Sequence, residues 1–156
     1  MSWWSRLLGG RSDSELKPQR VDYLKEALAL ERQGDYDSAL TSYRLALREK
    51  PDDAGVLQNM AIAYTKLNRH EEAVRCYRRA LEVQPALSGA HYGLAFLLLH
   101  RGERDEARVH LEEFLAAPPS GARAATWIAH ARETIESLKA GTSSDVSSAE
   151  PTTQET

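Results

Sequence analysis

The stretch "GDYDSALTSYRLALREKP", residues 34–51, decides the fold. Ala39, Leu40, Tyr43, Ala46 and Leu47 recur at intervals of three and four, which predicts a helix with one apolar face. Gly34 belongs to the residue type best able to adopt the left-handed conformation that ends a preceding helix. Asp35 is placed to cap the next helix by accepting its orphan amide hydrogens, and Pro51 stops that helix. Upstream, Leu24, Ala27, Leu28 and Leu30 repeat the same spacing, so a second helix precedes Gly34. The alanines allow two antiparallel helices to approach closely, while Tyr43 fills the space beside them.

The same design returns along the chain. Pro51, Pro85 and Pro119 stand 34 residues apart, and the offset aligns Ala27 with Ala61 and Ala95, and Ala39 with Ala73 and Ala107. Tyr43 aligns with Tyr77 and Leu111, and Leu47 with Leu81 and Leu115. Gly34, Asn68 and Gly102 fall at the three hairpin turns, all residue types that tolerate the left-handed conformation. The third copy is looser, with Leu111 in place of the aromatic and Phe114 where the others carry Ala46 and Ala80; a different packing angle is expected there. In the first copy Glu26 stands where Met60 and Leu94 are apolar, so its outer face is expected to be frayed or covered by a partner.

A 34-residue period whose second half carries Ala39, Tyr43, Ala46 and Pro51, then Ala73, Tyr77, Ala80 and Pro85, resembles the tetratricopeptide repeat family. The resemblance covers residues 20–121 and implies an all-α fold, a right-handed α-solenoid of helix-turn-helix units. The expected organisation is a short amphipathic segment and polar linker over residues 1–19, then three repeats over residues 20–53, 54–87 and 88–121. A capping helix follows over residues 122–140, and a Ser/Thr-rich tail, expected to be disordered, over residues 141–156. A capping helix is required because the last unit of a stack otherwise exposes its apolar face. Ile128, Ala131, Ile135 and Leu138 supply the matching face, with Trp127 beside them and Gly141 as the stop.

Composition excludes several functions. The formal charge of −3 lacks the excess of Lys and Arg that draws a protein onto nucleic acid. Cys76 is the only cysteine, so no internal disulfide forms and a reducing cytoplasm fits. The N-terminal residues lack the unbroken apolar run of a secretory signal, and no stretch approaches the roughly 20 apolar residues of a membrane span. Trp3, Trp4, Leu7 and Leu8 nevertheless share one side of a short helix, whose face must find a surface. Lipid headgroups, a partner protein or the chain's own groove are the three candidates, since residues 9–19 extend to roughly 35 Å. Membrane contact would thus be peripheral.

The resemblance also implies that the first helix of each repeat lines a concave surface that binds a peptide or helix. On this chain the lining is Val21, Leu24, Lys25, Leu28 and Arg32, then Gln58, Asn59, Ile62 and Lys66, then Tyr92, Phe96, Leu99 and His100. Some members grip a terminal carboxylate with Lys, Asn and Arg. The corresponding positions here are Leu24, Leu28, Asn59, Gly89 and Gly93, and only Asn59 matches, so that clamp is not expected. The lining suits apolar side chains of an amphipathic segment.

No chemistry is expected. His70, His91, His100, His110 and His130 show no pair at the three or four spacing of a helical metal site, so no metal is predicted and each histidine reads as a surface or packing residue. Cys76 reads as a small half-buried residue, the glycines of "LLGGRSD" lack the Lys-Ser/Thr of a phosphate loop, and no cofactor is implied. The expected function is a non-enzymatic adaptor or scaffold that holds a protein or peptide segment, its own N-terminal segment or another copy included. The alternatives are a membrane-surface or self-assembling structural protein acting through Trp3, Trp4, Leu7 and Leu8, and a small chaperone for exported proteins.

Overall fold

A computed structural model describes residues 22–146, and among them the chain forms seven helices and no strand. They are α1 (Tyr23–Arg32), α2 (Tyr36–Glu49), α3 (Ala54–Lys66), α4 (His70–Val83), α5 (Ser88–His100), α6 (Arg104–Ala116) and α7 (Ala124–Val146). Val21 and the N-terminal face of Trp3, Trp4, Leu7 and Leu8 lie outside the described residues.

Each hairpin turn is set by the same local chemistry. At the first, Gly34 takes φ +81°, its N–H reaches the Glu31 carbonyl at 2.9 Å and the Asp35 N–H reaches the Leu30 carbonyl at 3.0 Å. These two bonds satisfy carbonyls that a helix end leaves open. Asn68 (φ +57°) and Gly102 (φ +81°) repeat the geometry, with Arg69 N–H on Tyr64 and Glu103 N–H on Leu98, each at 2.9 Å. Asp35 then serves the next helix, its carboxylate accepting the Ser38 N–H at 3.1 Å, and Asp22 and Asp53 cap α1 and α3 in the same way.

Packing runs from each helix to its neighbours in sequence, with α3 also meeting α5, so the molecule is an all-α solenoid of stacked helical hairpins. The aligned alanines Ala27, Ala61, Ala95, Ala39, Ala73 and Ala107 are all fully buried, beside Tyr43, Tyr77 and Leu111. One core cluster runs from Ala27 to Ala107, and a second joins Ala95, Leu111 and Phe114 to Ala131, Ile135 and Leu138 of α7. Phe114 is thus larger than Ala46 and Ala80 because it meets the capping helix and not another repeat. Glu26 is exposed and accepts a bond from the Ser42 hydroxyl at 3.0 Å, which gives the first hairpin a polar outer side.

The sequence places the end of the last helix at Gly141, but α7 continues through it to Val146. A glycine within a helix costs only about 1 kcal/mol relative to alanine, too little to stop one by itself. Here a Cβ on Gly141 would stand 3.3 Å from the Arg104 guanidinium, so the glycine lets α7 lie close to the start of α6. Among the described residues no helix is long and apolar enough to cross a membrane.

Candidate functional site

Helices α3 and α5 and the start of α7, with Tyr77 of α4 and Phe114 of α6, enclose a hollow of about 680 Å³ on one side of the solenoid. Gln58, Ile62 and Lys66 of α3 and Tyr92 of α5, all singled out in the sequence, line it together. A second hollow of about 380 Å³ shares Tyr77, Tyr92 and Gly93 with the first and adds Phe96, His100, His70 and His130. A third, also about 380 Å³, brings Leu28, Arg32 and Asn59 together with Glu31 and Tyr36.

Three members of the sequence-derived lining do not border these hollows. Leu24 and Leu99 are packed against the core, because their positions on the helix turn inward towards the partner helix. Lys25 is drawn to Asp22 at 3.4 Å, the residue that caps its own helix.

Several residues that shape the site were missed by sequence reasoning. Tyr77 belongs to a second helix, yet it lines both of the joined hollows because Gly93 leaves room for it. A Cβ at Gly93 would lie 2.4 Å from the phenol oxygen. The ring is 4% exposed, and burial pushes its hydroxyl up to about 12, so it stays neutral. Gly89 plays a similar part for Gln58, whose side-chain oxygen would stand 2.7 Å from an added Cβ. That oxygen is buried and has no hydrogen-bond partner among the described residues. The available signal was two glycines inside a helical pattern, each of which needs a packing reason to be there.

The far wall is aromatic. Tyr92 lies 4.8 Å from Phe96, 5.0 Å from Phe114 and 6.2 Å from Trp127, between ring centroids. Its hydroxyl is 2.8 Å from Nδ1 of His130, whose ring stacks on Phe96 at 4.7 Å. Trp127 remains 41% exposed at the rim. These rings present broad apolar faces with few rotamers to freeze, a surface suited to bulky apolar groups.

The histidines are less scattered than their spacing suggests. His91 and His110 approach Nδ1 to Nδ1 at 2.9 Å across α5 and α6, with Nε2 of His91 2.7 Å from the Pro85 carbonyl, and His70 meets His100 edge-on at 4.7 Å. Folding within a hairpin creates the first pair and stacking of adjacent hairpins the second. Among the described residues no three His, Cys, Asp or Glu side chains gather as a metal site would require. Burial pushes the Cys76 thiol up, away from the reactive thiolate.

Two sequence profiles, each described as tetratricopeptide repeat, match residues 30–88 and 88–113, together more than half of the chain. A photosystem I assembly protein, Ycf3, of Acaryochloris marina is 34% identical over 94 residues, 58% of this chain and 57% of the relative. The chain thus spans little more than half of that protein's length, and 14% of several other curated relatives. Among solved structures, the Sgt2 TPR domain of Aspergillus fumigatus is similar with a TM-score of 0.65 at 24% identity, covering 86% of this chain and 85% of that one. The type III secretion chaperone SycD of Yersinia enterocolitica, solved with a peptide of the translocator YopD, gives a TM-score of 0.71 at 14% identity over 77% and 92% of the two chains. At these identities the structures speak to fold alone.

Proposed function

The chain belongs to the tetratricopeptide repeat family, and on that premise we propose that it is a non-enzymatic adaptor that holds an amphipathic segment of a partner protein in its concave groove. The observation that carries this reading is the hollow of about 680 Å³ walled by Tyr77, Tyr92, Phe114 and Trp127. Its size lies within the range of ligand-binding clefts. The SycD chaperone, similar in fold, was solved with a bound peptide, which supports the same use of the fold here. Two or three buried anchors contribute about 1.5–3 kcal/mol each before the cost of immobilisation, which leaves an affinity in the micromolar range. A lone, half-buried cysteine fits work in a reducing compartment such as the cytoplasm.

The test begins by identifying partners through affinity purification and mass spectrometry with the full chain. Capture is then measured for a variant carrying Leu28→Asp and Trp127→Asp, two rim residues exposed enough to be changed without opening the core. Capture should fall at least tenfold while the helical circular dichroism and melting temperature hold. Undiminished capture by the folded variant refutes groove binding.

A further inference from the structure

Arg32, Lys66 and His100 stand 34 residues apart, so each occupies the same place, the last turn of the first helix of its hairpin. All three are exposed, and each lines one of the three hollows. A base in the last turn also complements the helix dipole, which accounts for the position. It does not account for what surrounds the row. Among the described residues none of the three makes an ion pair; the Arg32 guanidinium donates to the Leu28 carbonyl at 3.1 Å, and His100 meets only the ring of His70. The two joined hollows contain no Asp or Glu in their walls, in a chain that has 23 of them. In the third, Glu31 is engaged by the Tyr43 hydroxyl at 2.5 Å. Glu31, bound by Tyr43, is thus the one acidic residue in the walls of the three hollows, and Arg32, Lys66 and His100 have no carboxylate partner among the described residues.

We propose that Arg32, Lys66 and His100 form a row of donors that makes the groove selective for an internal acidic segment of the partner, its bulky apolar side chains entering the aromatic hollow and its carboxylates pairing with Arg32 and Lys66 and accepting a hydrogen bond from His100. The proposal rests on the groove reading above and adds the charge of the ligand to it. The row runs across successive hairpins, one base from each, so a segment lying along the groove passes them in turn. Of Leu24, Leu28, Asn59, Gly89 and Gly93, the positions that the resemblance assigns to a grip on a terminal carboxylate, only Asn59 carries a matching residue, and none of the three bases occupies any of them. The acidic group recognised is therefore a side chain within the segment and not the end of a chain.

The experiment selects a displayed library of random twelve-residue peptides on the purified full chain and on the variant Arg32→Glu/Lys66→Glu. The recovered peptides are then synthesised with both termini blocked. The wild type should enrich peptides of net negative charge that carry Leu, Phe or Trp, and the variant should lose that bias or reverse it. The best acidic peptide should bind the variant about tenfold or more weakly, as expected for two lost exposed pairs now made repulsive. Added salt should weaken binding to the wild type, and blocking the peptide's C-terminus should not. Enrichment of neutral or basic peptides by the wild type overturns the proposal and leaves groove binding standing. An acidic bias that survives unchanged in the variant overturns the role of the row. Recovery of no specific binder overturns both readings.

Discussion

Replacing Gly93 with alanine tests the packing that shapes the hollow, because two opposed effects of known size meet at one atom. In an exposed helix the change gains up to about 1 kcal/mol from propensity. Here the new Cβ would lie 2.4 Å from both Cζ and the oxygen of Tyr77 and 2.9 Å from its Cε1. Carbon contacts are optimal at about 3.5–4.0 Å, so the ring must retreat by about 1 Å or more. At 4% exposure it is packed against the surrounding core, so it retreats only by giving up that packing as it moves towards the hollows it lines. Overpacking of this kind costs about 1–3 kcal/mol, which matches or exceeds the propensity gain. The net expectation is a loss of up to about 2 kcal/mol, or a melting temperature lower by up to about 6 °C for a chain of this length. In a Tyr77→Leu background the obstruction is gone, so the same Gly93→Ala change should be neutral or stabilising. Urea denaturation of the four proteins in a double-mutant cycle reads the difference as a coupling of about 2 kcal/mol. If Gly93→Ala stabilises the wild-type background as much as the Tyr77→Leu background, the glycine is not there for the tyrosine and the reasoning fails.

Two further predictions concern half-buried polar groups of α3 and α6. Gln58→Met removes a buried carbonyl that lacks a partner, so the variant should gain about 1 kcal/mol in urea denaturation; an equal loss would mean that the oxygen is satisfied in solution. His110 is held below its ordinary value of 6.5, by burial first and then by the neighbouring His91. A histidine depressed in the folded state binds its proton more readily when unfolded, so its stabilising contribution is complete above about pH 6.5 and is lost as the pH falls below that. Melting temperature followed from pH 7.5 to 5.5 should therefore decline, and His110→Gln should flatten that decline; an unchanged slope in the variant would assign the effect elsewhere.

The local parts of this protein were readable because their causes are local. A residue that must take positive φ and a carboxylate three residues before the amide it caps each declare themselves within a few neighbours, and an alanine repeating every 34 positions declares itself when the chain is aligned with itself. Gly34, Asn68, Gly102 and Asp35 do so, and the hairpins follow from them. The end of α7 was misjudged for the same reason in reverse. Gly141 carries only a weak local signal to stop, and its use in packing beside Arg104, a residue in another helix, is not written in its neighbours along the chain.

By itself, then, the sequence determined the helices, their pairing into hairpins and the stacking of those hairpins, since period and patterning act through neighbours along the chain. Only the tertiary structure decided the shape of the hollow. Tyr77 reaches it from a second helix through the gap at Gly93, Trp127 closes it from α7, and Leu24 and Leu99 turn away from it into the core. The physical reason is that a cavity wall is assembled from atoms far apart in sequence, and their positions are fixed by how neighbouring helices pack, which no spacing within one helix records.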